Sequence, residues 1–251
     1  MRTGLIVAAG VLLTAGSGSA STIVAIRTPD VVVIAADSLG TVAGAGTQSQ
    51  RSVCKIHRAD RLSFAVAGIS NDEGRGFSVV DTVRKSIGGH GTVRDASRAA
   101  AEAVRHALGI ELSRLELEDR DVFERTLSRL TSVILTGLDP GDVPAAAGFH
   151  FERQLGPAGA PSLRAVFLAC PGDCPGGVYT FFLGERSAID KYISEHGKSF
   201  SVSPEEGALL MVETEVRAGT PGVGGPVDVL RAAADGTRWV RVKPECSNPA
   251  R

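Results

Sequence analysis

Apolar and polar positions change their period several times along this chain. Thr22 to Arg27 and Val31 to Ala36 are rich in β-branched residues, with Thr28-Pro29-Asp30 between them. That pattern predicts a hairpin with a short polar turn. Val31 to Ala36 is apolar without alternation, which predicts a strand buried on both faces. Gly40 to Gln50 is small and polar and is expected to be a loop. Val53 to Ile56 and Leu62 to Gly68 give a second pair of strands around the turn Arg58 to Arg61. The period then lengthens. Ser70-Asn71-Asp72-Glu73 is a capping-box signature, followed by Phe77, Val80, Val83 and Ile87 near helical spacing and a stop at Gly88-Gly89. Thr92 to Asp95 is a second box, followed by an alanine-rich amphipathic helix. Glu116 to Arg129 is densely charged and reads as a solvated helix face.

Strand patterns resume at Ser132 to Leu138, Gly148 to Arg153, Leu163 to Ala169 and Val178 to Leu183. Ser187 to Asp190 opens a short helix carrying Ile189, Tyr192 and Ile193. Ser203-Pro204-Glu205-Glu206 opens another, with Leu209, Leu210, Val212 and Val216 as its expected apolar side. Val227 to Leu230 and Trp239 to Val242 flank the hairpin turn Asp235-Gly236. The order is strands, two helices, strands, two helices, strands. Paired helices argue against a doubly wound parallel sheet. The expected class is α+β: two antiparallel sheets face to face with helix pairs outside, a four-layer αββα sandwich.

Composition narrows the function classes. With 251 residues, the chain is long enough for one domain with a substantial core. Its 27 basic and 28 acidic residues leave a net charge of −1, so no global field favours nucleic acid. Arg2, the apolar run Leu5 to Leu13 and the small residues Ser17 to Ala20 predict a signal peptide over 1–20, cut after Ala20. The apolar run is shorter than a membrane span. The expected layout is therefore an exported, periplasmic or extracellular domain over 21–251. An even set of cysteines fits that compartment. Cys170-Pro-Gly-Asp-Cys174 reads as a turn closed by a local disulfide, which leaves Cys54 and Cys246, a pairing the sequence does not decide. A zinc site is the rival reading, although two close Cys-x-x-Cys pairs are lacking. The five histidines show no metal-ligand spacing, and no cofactor or metal is expected.

Ser-Thr-Ile-Val-Ala-Ile-Arg (21–27), followed by Val-Val-Ile-Ala-Ala-Asp-Ser (32–38), resembles the mature start of proteasome β-type subunits, which are N-terminal-nucleophile hydrolases. The motif is most similar to that of the bacterial proteasome-like protease that partners an ATP-dependent unfoldase. Counted back from Asp37, Ser21 falls on that family's N-terminal threonine. Val53-x-Lys55-Ile56 and Ala65 to Gly68 resemble the family's lysine strand and the next strand, and Gly224 to Val229 with Asp235-Gly236 and Trp239 resembles its C-terminal hairpin. Three departures stand out. The nucleophile position is serine, the residue before it is Ala20 rather than glycine, and Thr220 and Val223 stand where the family shows an aspartate and a serine.

The resemblance implies catalytic roles for Ser21, Asp37, Lys55 and Gly68. An N-terminal hydroxyl residue can be activated by its own α-amine, which is partly neutral near pH 8. Lys55 would favour the neutral amine, Asp37 would hold Lys55, and the Gly68 N–H would donate to an oxyanion. Thr22 is the nucleophile if the cut falls one residue later. The expected activity is cleavage of a peptide or amide by an exported hydrolase. The alternatives are a catalytically inactive assembly or binding module and a small-molecule amidase of the acylase type. Self-association is left open, and export argues against an ATP-dependent unfoldase partner.

Overall fold

A computed structural model describes residues 5–6, 21–44, 47–72, 76–118, 120, 123, 130–155, 161–174, 177–197, 199–200 and 202–247. Strands β2 (Thr22–Arg27) and β3 (Val31–Ala36) form the expected hairpin at its center. They join β13 (Tyr179–Gly184), β15 (Asp228–Ala233) and β16 (Gly236–Arg241) in a sheet of order β13-β2-β3-β15-β16. A second five-stranded sheet runs β12-β11-β10-β7-β6, from Pro161–Cys170, Val143–Leu155, Ser132–Asp139, Leu62–Ala67 and Ile56–Ala59. Every pairing in both sheets is antiparallel.

Three apolar seams hold these parts together. Alternate residues of β2 and β3 explain why both strands are buried throughout. Ile23, Ala25, Ile34 and Ala36 face the other sheet and pack with Ala65, Ala67, Ile134 and Phe181. Val24, Ile26, Val33 and Ala35 face the opposite way, onto Ile189 of helix α3 (Ser187–His196) and Ala208, Met211 and Val212 of helix α4 (Pro204–Arg217). The second sheet packs Phe64, Val133, Leu135 and Phe149 against α1 (Val79–Ser86) and α2 (Val93–Glu118). The alanines of α2 at 96 and 100 are fully buried, which lets that helix lie close on the sheet.

The expected four-layer αββα sandwich is corrected to a mixed fold of antiparallel sheets. The described strands divide among five sheets, three of them two-stranded. Residues 40–50, expected to be a loop, belong largely to the hairpin β4 (Leu39–Gly44) and β5 (Thr47–Ser52). The capping box expected at 70–73 is not a helix start. Asn71–Asp72 is strand β8, paired with β9 (Phe77–Ser78), and α1 begins only at Val79. Its cap is Ser78, which accepts from the Asp81 N–H at 3.1 Å. A cap motif is short enough to occur where strand pairing wins. The third small sheet pairs β1 (Leu5–Ile6) with β14 (Ser199–Phe200). The rest of the expected signal peptide lies outside the described residues, as does most of 119–129. On α4 the capping box Ser203/Glu206 forms as expected, but the buried side is Gly207, Ala208, Met211, Val212 and Glu215, with Leu209 and Leu210 only partly covered.

His57 on β6 is half-buried against the Phe64 ring, with centroids 5.1 Å apart. Burial, with Arg84 nearby, lowers its pKa from 6.5 to about 4, while Asp81 partly opposes this. A depressed histidine pKa gives stability that is present above pH 6.5 and is lost as pH falls toward 4. The shift is worth at most about 3 kcal/mol. Urea unfolding at pH 7 and pH 4.5 should therefore show a smaller acid loss for His57→Leu than for wild type; equal losses would exclude His57 as a source of acid sensitivity.

Candidate active site

Asp37 directly follows β3 and is buried. Its carboxylate takes four donors. Oδ1 accepts from the Thr22 N–H at 2.8 Å and from Lys55 Nζ at 2.6 Å. Oδ2 accepts from the backbone N–H of Leu39 at 3.2 Å and of Gly224 at 3.1 Å. The hairpin register places it there. Ile23 pairs with Ala36, so the next pair is Thr22 with Asp37, and the Asp37 N–H also donates to the Thr22 carbonyl at 3.2 Å.

Ser21 sits one peptide bond beyond this pair, immediately before β2, and is 8% exposed. Its carbonyl accepts from the Glu185 N–H at 2.8 Å, which anchors it to the strand end at β13. Thr22 Oγ1 donates to the Glu185 carbonyl at 2.9 Å, so that hydroxyl is already committed away from Asp37.

Lys55 precedes β6 and is buried. Burial lowers its pKa; the charge of Asp37 and the hydrogen bond to it work the other way, and the charge of Lys243 adds to the lowering. Gly68 directly follows β7 on the facing sheet, with φ +86°, a conformation suited to glycine. Its neighbor Ala67 packs in the same seam as Ile23. Among the described residues no hydrogen bond joins Gly68 to Asp37 or Lys55. The structure thus brings Asp37, Lys55 and the backbone beside Ser21 together, with Gly68 across the seam.

The C-terminal segment reaches the site through backbone atoms. Gly224 donates to Asp37, and the Gly224 carbonyl accepts from the N–H groups of Ser38 and Leu39, both at 2.9 Å. Ser38 Oγ donates to the Pro226 carbonyl. Thr220 Oγ1 instead donates to the buried Glu215 carboxylate at 2.6 Å, while Glu215 Oε1 accepts from the Ile189 N–H at 2.9 Å. Val223 is buried and apolar. Thr220 thus bonds Glu215 rather than Asp37, and Asp37 receives the Gly224 N–H from this segment.

Both cysteine pairs are disulfides, Cys54–Cys246 and Cys170–Cys174, which removes the zinc reading. Among the described residues no three metal-ligating side chains converge. Cys54 lies next to Lys55, so the first bridge ties the lysine segment to the C-terminal turn Pro244–Cys246 across 192 residues of sequence. Replacing both Cys54 and Cys246 by serine should lower stability by about 2–5 kcal/mol, read as a fall in Tm; an unchanged Tm would show that this bridge does not constrain the fold. A cavity of about 350 Å³ lined by Arg58, Arg61, Arg84 and His90 lies elsewhere, beside α1, and contains none of these residues.

Sequence reasoning missed two buried groups here. Lys243 Nζ donates to the Val53 carbonyl at 2.6 Å and lies 3.4 Å from Asp228 Oδ2, and the Lys243 N–H donates to Asp228 Oδ1 at 2.8 Å. The signal that could have found them is the Cys54–Cys246 pairing, which brings 243–246 beside 53–55.

Solved structures of Anbu share this architecture. Over 89% of this chain and 86% of theirs, the Anbu (Gly-1) mutant from Hyphomicrobium sp. strain MC1 is 20% identical, with a TM-score of 0.55. Anbu (ancestral beta-subunit) from Yersinia bercovieri is 17% identical over 87% of this chain and 86% of its own, also with a TM-score of 0.55. The helical assembly of the Anbu complex from Pseudomonas aeruginosa is 20% identical over 89% and 87%, with a TM-score of 0.57. The fold is proteasome-like. No family model matches the sequence, and no curated protein matches it. The expected assignment to the bacterial proteasome-like protease, within the N-terminal-nucleophile hydrolases, is therefore corrected: similarity at this level to Anbu gives a proteasome-like fold and no specific family. The N-terminal motif misled because two strands and an aspartate describe a fold element that distant proteins can share.

Proposed function

We propose that this protein is an exported hydrolase of peptide or amide bonds, with Ser21 as an N-terminal nucleophile freed by removal of residues 1–20. The observation that carries the reading is the buried Asp37 carboxylate, whose Oδ1 holds both Lys55 Nζ and the Thr22 N–H, one peptide bond from Ser21. Once the 20–21 bond is cut, the free amine belongs to the residue before Thr22, whose N–H shares the Asp37 carboxylate with Lys55. The amine takes the hydroxyl proton, Oγ attacks the substrate carbonyl, and the Gly68 N–H is the candidate donor to the oxyanion. Lys55 as a cation disfavors a second positive charge on the amine and so keeps it a usable base near neutral pH. The protonated amine then returns its proton to the leaving nitrogen, and water releases the acyl group from Ser21.

Two disulfides support an oxidising compartment. Among the described residues no helix is long and apolar enough to cross a membrane. A β-lactone, whose ring carbonyl acylates a serine hydroxyl as the ring opens, should label residue 21 of the processed protein, located by peptide mass, and leave the uncleaved chain unlabeled. Label on another residue, or equal label on both forms, would refute the reading.

A second reading is a non-catalytic assembly module. It is favored by Thr220, whose hydroxyl is bound to Glu215 and gives the site no side-chain support. One Anbu structure is of a helical assembly, and self-association of this chain is proposed on either reading. A processed protein that assembles but resists the electrophile would select the second.

A further inference from the structure

Lys243 is 5% exposed and Asp228 is 2% exposed, a buried ion pair outside the set Ser21, Asp37, Lys55 and Gly68. Such a pair is costly to desolvate and is a poor device for stability alone. Its placement is specific. Asp228 opens β15 opposite Ala36, the residue before Asp37. Lys243 reaches from the chain after β16 to the carbonyl of Val53, two residues before Lys55. The Val53 N–H donates to the Ser38 carbonyl at 2.8 Å, so Val53 is gripped on one side by the residue after Asp37 and on the other by Lys243.

We infer that Lys243, seated on Asp228, is a positioning residue for Lys55: it fixes the 53–55 segment so that Lys55 Nζ meets Asp37, and it brings a second positive charge beside that lysine. Among the described residues, the charged groups facing Lys55 include Asp37 from the end of β3 and Lys243 from the C-terminal segment, with Asp228 of β15 behind Lys243. The charge of Lys243 acts with burial to lower the Lys55 pKa, against Asp37. Lys55 is thereby held on its carboxylate yet made easier to deprotonate than an exposed lysine. The catalytic consequence rests on the proposed role of Ser21, whereas the effect on Lys55 does not.

The test uses the processed protein with lysine side chains carrying a carbon-13 label at Cε. Lys55, assigned by loss of its signal in Lys55→Met, is titrated by NMR in wild type, Lys243→Met and Lys243→Arg. Lys243→Met should raise the Lys55 midpoint, and Lys243→Arg should return it toward wild type. Because Lys243→Met strands Asp228, the double variant Lys243→Met/Asp228→Asn is measured alongside to supply a folded protein in which the Val53 contact is gone; there the labeling rate of Ser21 should fall roughly tenfold or more. An unmoved or lowered Lys55 midpoint in Lys243→Met, or an unchanged labeling rate in the folded double variant, would overturn the inference. If wild type is not labeled at all but the Lys55 midpoint moves as stated, the hydrolase reading fails and the positioning of Lys55 stands.

Discussion

Asp37→Ala is expected to lower the unfolding free energy by about 3–5 kcal/mol, the cost of leaving one partner of a buried ion pair without the other. Lys55 would keep its ammonium in a buried place with its carboxylate gone. The N–H groups of Thr22 and Gly224 would lose their Asp37 acceptor as well, while the Leu39 N–H would keep its bond to the Gly224 carbonyl. Each orphaned buried donor adds to the loss. Against a total stability of about 5–15 kcal/mol, this is a large fraction, and the Tm should fall by about 10 °C. Asp37→Asn should not rescue it, because one amide oxygen cannot serve four donors and its NH2 would face another donor. Denaturant unfolding at pH 7 checks this. A loss under about 1 kcal/mol would mean that Asp37 is not the joint between the hairpin, Lys55 and the Gly224 segment.

Ser21→Ala is expected to abolish turnover of any amide substrate, by about 1,000-fold or more, with the fold intact. Alanine keeps the free amine and the backbone bond from Glu185 to the residue 21 carbonyl, so stability should change little. Ser21→Thr should retain activity, since a secondary hydroxyl can do the same chemistry. Thr22→Ala separates the two candidates. Its hydroxyl is bound to the Glu185 carbonyl, so its loss should cost about 1 kcal/mol of stability and little activity. Activity that survives Ser21→Ala but not Thr22→Ala would transfer the nucleophile to Thr22.

Much of the fold could be read from period and turn chemistry. β2 and β3 fall where the β-branched runs place them, and the hairpin β15–β16 falls around Asp235-Gly236. The errors came where local signals compete with pairing at a distance. Residues 39–52 are too small and polar to suggest a hairpin, and the motif at 70–73 matches a helix cap but lies at a strand. On α4 the periodicity chose Leu209 and Leu210, whereas the small residues Gly207 and Ala208 are the ones that fit against β2 and β3.

The candidate site was half legible. Asp37 and Lys55, both singled out in the sequence, form a buried ion pair at 2.6 Å. The roles of Gly224, Asp228 and Lys243 were not legible, because backbone donors and long-range ion pairs leave no local pattern. Thr220 and Val223 show the converse. The side chains of Thr220 and Val223 do not reach Asp37, whereas the Gly224 N–H does.

The measurement that tests the central claim most directly is the N-terminal sequence of the exported protein, by intact mass and terminal degradation. The account predicts a chain that begins at Ser21, with both disulfides formed. A mature chain that begins at Thr22 or further along, or that keeps residues 1–20, would contradict it.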